Sequence, residues 1–325
     1  MKYFFTLVYI LFSISIYAQK LPDWFIDPKI KYNENKYLAA VGEGLTLKDA
    51  QINAYGNLAR IFSISVKFDS KSLERYKNSE NNVSHNSFYE ENTELQSLAE
   101  LFGVEFKDNY NANGIYYVIA VMDKKKSCIL LKKRISDNEE AIRIYMDNLS
   151  EEPIERYSVL DMASILSKKN QMYSEQLLVM DQPVQLNYNP NTIQALLNEI
   201  SKKLTFKLDL DNSYSSLAQN IQRSITKLGF KLAQNNASYI FQVKIDWSDS
   251  REAPYGGYFI FYDFQIDLVN QSGDLIQTFS FNNSSGKEYG NSEAEARKFV
   301  LKKVTNTISE EFDDKLIIFF NDFLQ

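Results

Sequence analysis

Lys2 is followed by an apolar run over residues 3–16 and then by Tyr17-Ala18-Gln19-Lys20. A short cationic head, an apolar stretch and a small residue before a polar segment have the form of a secretory signal peptide. That form assigns residues 1–18 to export and starts the mature chain near Gln19. The run is too short for a membrane-spanning helix, which takes about 20 residues. Cys128 is the only cysteine in the 325 residues, so no intramolecular disulfide can form. An exported chain of this size without disulfides has to be held together by its apolar cores.

Hydrophobic residues make up 44% of the chain, enough for sizeable cores. Lys plus Arg is 36 against 42 Asp plus Glu, a net charge of −6 that becomes about −7 once Lys2 leaves with the signal. An acidic balance argues against nucleic-acid partners, which need a concentrated basic face, and gives no attraction to anionic lipid. No later stretch reaches the roughly 18 apolar residues of a membrane span. Cys128 lies far from the cleavage point, so the chain is expected to carry no lipid anchor of its own.

The pattern predicts two α+β units joined by a helical hairpin, with boundaries at 1–18, 19–128, 129–204 and 205–325. In the first unit, Tyr37-Leu38-Ala39-Ala40-Val41 reads as a short buried strand and Gly42-Glu43-Gly44 as a turn. Thr46 caps a helix with Asp49 in its first turn. Leu47, Ala50, Ala54, Leu58 and Ile61 recur on one helical face, with Asn53 and Asn57 on the other. Residues 63–68 alternate like a strand, 69–87 read as a loop, and 90–102 as a helix. Val104–Lys107 and Ile115–Met122 pair across a turn at Asn111-Ala112-Asn113-Gly114, Asn-Gly being a strong hairpin signal.

Leu131, Ile135, Ile142, Tyr145 and Leu149 suit one long helix. Pro153 starts a second, striped by Val159, Met162, Ala163 and Leu166. Asn191 is placed as the cap of a third, with Ile193, Leu196, Leu197, Ile200 and Leu204 inward. In the last unit, Leu217, Ile221, Ile225 and Leu228 form a stripe ending at Gly229. Phe241, Val243, Ile245 and Trp247 alternate with polar residues, and Ile260, Tyr262, Phe264, Ile266 and Leu268 repeat the pattern. A turn containing Gly273 leads into Leu275–Phe281. Ser292-Glu293-Ala294-Glu295 is a capping box, opening a helix to near Leu324. Gly44, Thr46, Ala50, Ala54, Leu58 and Phe62 recur at identical spacing as Gly290, Ser292, Ala296, Val300, Val304 and Ile308.

Catalytic chemistry is thinly represented. His85 is the only histidine, which leaves no Ser-His-Asp set to assemble. One His and one Cys cannot make a usual zinc site. The acid pairs Glu90-Glu91, Glu139-Glu140, Glu151-Glu152, Glu310-Glu311 and Asp313-Asp314 do not converge across a cleft and read as solvated helix faces. Asp209 and Asp211 lack the further oxygens of a calcium loop. Asn82, Asn148 and Asn236 begin Asn-x-Ser triplets, which an Asn-rich chain produces by chance. No enzyme activity, metal or cofactor is expected.

Two groups are singled out for binding. Gly42, Glu43 and Gly44 precede a helix start, where free amides could meet a ligand or partner. Tyr255, Tyr258, Phe259 and Phe261 open the central strand of the last unit, with Phe259 and Phe261 on the face opposite Ile260 and Tyr262. That outer face is expected to be covered by the hairpin helices or a partner, or else to form a binding patch.

Residues 22–66 and 94–122 resemble the LPP family of twenty-kilodalton bacterial outer-membrane lipoproteins. The matching residues are Pro22-Asp23-Trp24, Tyr37 through Gly44, the helix Asp49-Ala50 to Leu58-Ala59, Leu95 to Leu98, Phe102-Gly103-Val104, and Tyr116 through Met122. The resemblance implies a small α+β envelope module without a known catalytic centre. The expected role is that of an exported, non-enzymatic interaction or assembly module with an envelope protein as partner. A periplasmic protein holding a lipid or glycan between the last sheet and the hairpin is the alternative. The expected location is the periplasm or the medium, or the outer membrane by way of a partner. Oligomeric state is not legible.

Overall fold

The computed structural model describes residues 21–62, 70–79, 101–253 and 256–324. The signal segment, the strand expected at 63–68, His85, Asn82 and most of the helix expected at 90–102 lie outside these residues. The fold is α+β, and the chain forms two compact units.

In the first unit the strands β1 (Tyr37–Gly44), β2 (Val104–Ala112) and β3 (Ile115–Asp123) form an antiparallel sheet in the order β1-β3-β2. The β2–β3 hairpin turns on Asn113 (φ 52°) and Gly114 (φ 79°) alone, with Ala112 opposite Ile115. Two consecutive left-handed residues are what a tight Asn-Gly turn requires. The lead-in forms a short helix, α1 (Asp23–Ile26), and Phe25 sets its ring edgewise on Tyr117 at 4.7 Å. Tyr32 donates to Asp108 (2.7 Å) and Lys31 pairs with the same carboxylate (2.8 Å). Helix α2 (Leu47–Ala59) starts at its Thr46 cap as expected, and buries Ala50, Ala54, Tyr55 and Leu58. Leu47 and Ile61, placed on the same stripe by spacing, are exposed.

The segment read as a loop at 69–87 contains a helix, α3 (Ser70–Ser79), which belongs to the second unit. Among its described side chains, Arg75 and Tyr76 are buried. The long helices α4 (Lys124–Asp147) and α5 (Pro153–Val179) form the expected pair, although α4 begins directly at the end of β3. Each contributes to both units: residues 124–135 and 172–185 fall in the first, and 136–171 in the second. Helix α6 (Pro190–Ser201) is capped by Asn189, not Asn191. Asn189 accepts from the Asn191 N–H at 2.8 Å, and Pro190 takes the first helical position, where a missing N–H costs nothing.

The second unit is built on a five-stranded sheet in the order β5-β4-β6-β7-β8. Its strands are β4 (Thr205–Asp209), β5 (Lys231–Leu232), β6 (Tyr239–Glu252), β7 (Tyr258–Asn270) and β8 (Leu275–Gly290). The sheet is mixed: β4 runs parallel to β5 and β6, whereas β6, β7 and β8 are antiparallel. Helix α7 (Ser215–Lys227) lies between β4 and β5, and α8 (Glu293–Asp322) closes the chain. Leu217, Ile221 and Ile225 of α7 and Val300, Val304 and Phe312 of α8 share one core with Phe206, Ile260, Tyr262, Phe264, Ile266 and Leu268. Ile154, Tyr157 and Leu160 of α5 join that core. Burying each large side chain contributes about 1.5–3 kcal/mol. β8 runs past the expected end at Phe281, through a wide bulge over residues 281–284, because Ser285 to Gly290 pair with β7 despite their polarity.

Candidate functional site: the glycine joints and the outer face of β7

Gly42 and Gly44 sit inside β1, not in a turn. Their role is steric. A Cβ on Gly42 would lie 2.1 Å from the backbone N of Ala54, and one on Gly44 2.6 Å from that of Ala50. Glycine at both positions and alanine at both partners let α2 lie backbone to backbone on β1. Glu43 points to solvent between them. The free edge of β1 is also closed from within. Asn53 and Asn57, one helical turn apart, donate their side-chain amides to the carbonyls of Glu43 and Val41, both at 2.8 Å. The polar face of α2 therefore supplies the bonds that a further strand would have made.

The joint between β8 and α8 repeats the first half of this arrangement. Gly290 ends β8, a Cβ there would meet the backbone N of Ala296 at 2.4 Å, and Ser292 caps α8 by accepting from the Glu295 N–H (3.2 Å). Thr46 accepts from the Asp49 N–H in the same way (3.1 Å). The identical spacing in sequence is thus an identical local geometry.

Tyr255 lies outside the described residues. Tyr258, Phe259 and Phe261 project from the end of β7 in the second unit. Phe259 and Phe261 are half-buried and occupy the face opposite the helices, so the expected covering by the hairpin is not what shields them. Their neighbours across the strands do it. Lys287 Nζ lies 5.1 Å from the Phe259 centroid, the Tyr289 ring is 5.4 Å away, and the Arg251 guanidinium is 5.3 Å from Phe261. Such contacts are worth about 0.5–1 kcal/mol at exposed sites. Tyr258 on the opposite face is exposed, as is Tyr289 on this one. Further along the same face, burial would raise the Asp267 carboxyl. The bonds it accepts from Lys244 (2.6 Å), Thr278 (2.7 Å) and Gln265 (3.1 Å) outweigh burial and hold it below the ordinary range.

Sequence reasoning missed Arg75. It is almost wholly buried and pairs with Asp161; it also donates to Asn321 (3.1 Å), Ser158 (3.1 Å) and the Phe320 carbonyl (3.4 Å). The last carbonyls of α8 lack helical partners, and a guanidinium satisfies them. Several acids read as solvated also pin structure. Glu139 accepts from the N–H and side-chain amide of Asn187, Asp313 pairs with Lys227, and Glu152 accepts from Tyr239. Cys128 is buried beside Met180, and that burial pushes its thiol up. Among the described residues no group of three or more His, Cys, Asp or Glu is arranged to hold a metal, and no helix is long and apolar enough to cross a membrane.

The stretch from α1 through β3, with its paired glycines, is a recognisable unit. Residues 22–123 match the model of the LPP20 lipoprotein family. The LPP20 match takes in the whole first sheet and ends where α4 begins. No curated protein sequence matches the chain. Among solved structures, the secreted protein HP1454 from Helicobacter pylori aligns over 84% of this chain and 96% of its own, at 13% identity and a TM-score of 0.36. A minor lipoprotein from Acinetobacter baumannii covers 37% of this chain and 94% of its own, at 10% identity and a TM-score of 0.24. A PelC dodecamer from Paraburkholderia phytofirmans covers 34% and 84%, at 16% identity and a TM-score of 0.22.

Proposed function

We propose that this chain is an exported, non-enzymatic protein of the bacterial envelope that works as an interaction or assembly module. The LPP20 match over residues 22–123 supports the envelope assignment, alongside the export-like amino end. The observation that carries the interaction role is the outer face of β7 and β8. Tyr289 is exposed there beside half-buried Phe259 and Phe261. Aromatic residues and Arg are the types enriched where protein surfaces meet. A small lipid or glycan is less well served, because the ring faces of Phe259 and Phe261 are engaged by Lys287 and Arg251.

The test is in-cell photo-crosslinking from position 259, followed by fractionation. The expected result is a discrete adduct with one envelope protein, on a mature chain that has lost its amino-terminal segment. Full-length chain in the cytosol, or no adduct from a chain that turns over cell-wall material, would overturn the reading.

A further inference from the structure

The two glycine joints share a strand, a cap and a packing contact, but they treat the outer edge of the strand differently. Adding 246 to each position of the first joint gives the second: Gly44 becomes Gly290, Thr46 becomes Ser292, and Ala50 becomes Ala296. The edge-closing Asn53 and Asn57 become Phe299 and Lys303. Neither can donate in the same way. Phe299 has no donor and is 41% exposed, and Lys303 turns to Glu288 at 3.0 Å.

The outward groups of β8 can be identified. Ala253 N–H donates to the Gly257 carbonyl at the β6–β7 turn, so residues 257, 259 and 261 of β7 bond toward β6. The alternate residues Tyr258, Ile260 and Tyr262 then bond toward β8, where they pair with Gly290, Glu288 and Gly286. Ser285, Lys287 and Tyr289 are left with N–H and C=O aimed away from the sheet. Lys287 and Tyr289 match Val41 and Glu43, whose carbonyls the asparagines cover. Among the described residues, no side chain bonds to these backbone groups of β8. An uncovered edge of this kind is a template for strand addition.

Charge selects the occupant. Lys287 stands on the outer face at the middle of this edge, and no ion pair engages it among the described residues, while Glu288 on the other face is already paired with Lys303. A second copy of the chain, pairing antiparallel about Gly286, would bring Lys287 diagonally beside its own counterpart, and like charges so placed repel. A foreign strand with a carboxylate opposite Lys287 would meet no such repulsion. We propose that the edge of β8 at Ser285, Lys287 and Tyr289 binds an extended segment of a partner protein by strand addition, with an acidic side chain set opposite Lys287. The proposal rests on the interaction-module reading and names the class of partner.

The experiment is hydrogen exchange on the mature full-length chain at low micromolar concentration. The probe is a capped heptapeptide of Val and Thr with Asp at its centre, compared with the same peptide carrying Lys there. In the free chain the amides of Ser285, Lys287 and Tyr289 should exchange rapidly, while those of Gly286, Glu288 and Gly290 are protected. The Asp peptide should protect the outward three and bind about tenfold more tightly than the Lys peptide, a difference of about 1.4 kcal/mol. Lys287→Glu should reverse that preference without touching the backbone. Ser285→Pro removes one outward N–H and should abolish protection while leaving the β7 ladder intact. Outward amides already protected in the free monomer would overturn the proposal, as would no protection with either peptide. Protection that rises with protein concentration alone, with a doubling of mass, would overturn it in favour of a second copy. Failure here with a crosslink still forming from position 259 would remove the strand-addition site and leave the interaction role standing.

Discussion

Two strand-to-helix joints, one in each unit, are built from the same parts and diverge two residues before the shared glycine. In the first, Gly42 precedes Gly44 at that spacing, and α2 stays on β1 for a second contact at Ala54. In the second, Glu288 stands two residues before Gly290, and its side chain reaches Lys303 on α8. A pair of glycines keeps helix and strand in backbone contact. One glycine preceded by a long side chain lets the helix depart over a larger sheet. The cap and the first contact are common grammar; the second position decides how the helix is used.

Substitutions should separate these parts. Gly42→Ala is expected to have the largest effect, about 3 kcal/mol or more, because the new methyl meets backbone that cannot step aside. Chemical denaturation would measure it, and a loss below about 1 kcal/mol would mean that α2 shifts freely and the close approach is not required. Gly290→Ala should cost somewhat less, about 2–3 kcal/mol, because one contact is affected and the helix continues far beyond it. If it proved worse than Gly42→Ala, the ordering of the joints would be reversed.

Acid gives an intermediate test. Asp267 is held below its ordinary value in the fold, so its contribution is fully present above the unfolded carboxylate range near 4. It is lost as the pH falls through the depressed folded value. Asp267→Asn should cost about 1–2 kcal/mol at neutral pH and flatten the acid limb of stability against pH. An unchanged limb would show that the bonds from Lys244 and Thr278 contribute nothing. The caps should be alike: Thr46→Ala and Ser292→Ala are each expected to cost about 1 kcal/mol. A large disparity in thermal unfolding would mean that the matched geometry hides different energetics.

The smallest stability effect concerns the edges. Asn53→Ala with Asn57→Ala should cost only about 0.5–1 kcal/mol per lost bond, yet leave β1 as open as β8. The reading is concentration-dependent association by sedimentation, and an unchanged mass would deny that the amides guard the edge. The reciprocal change, Phe299→Asn with Lys303→Asn, should close β8 to an added peptide.

Much of this was legible in the residues. The Thr46 and Ser292 caps, the Asn-Gly turn and the alternation from Ile260 to Leu268 are local signals, and the structure places each where its chemistry put it, whereas the Asn191 cap moves two residues back to Asn189. The repeated spacing from Gly44 and from Gly290 was visible too, although spacing alone could not say that both glycines make room for an alanine backbone. What escaped were positions whose meaning depends on a distant partner. Arg75 sits in a polar stretch without period, and only Asp161 and the end of α8 explain its burial. Asn53 and Asn57 were legible as the outer side of α2, but a free strand edge beside them was not. Gly42 read as part of a turn because two glycines within three residues usually break a strand. Ser285 to Tyr289 looked too polar for one, which is how an edge strand with a wet face looks.

The sharing of α4 and α5 between the units has a consequence for biogenesis. Residues 172–185 are needed to complete the first unit, and residues up to 324 to complete the second. A chain made from its amino end therefore begins the second body before it can finish the first. Arg75 emerges early and meets Asp161 only after 86 further residues, and the Phe320 carbonyl after 245. Until then the groups that bury its guanidinium are missing, so the second unit closes only when nearly the whole chain is present, long after the first has all its residues.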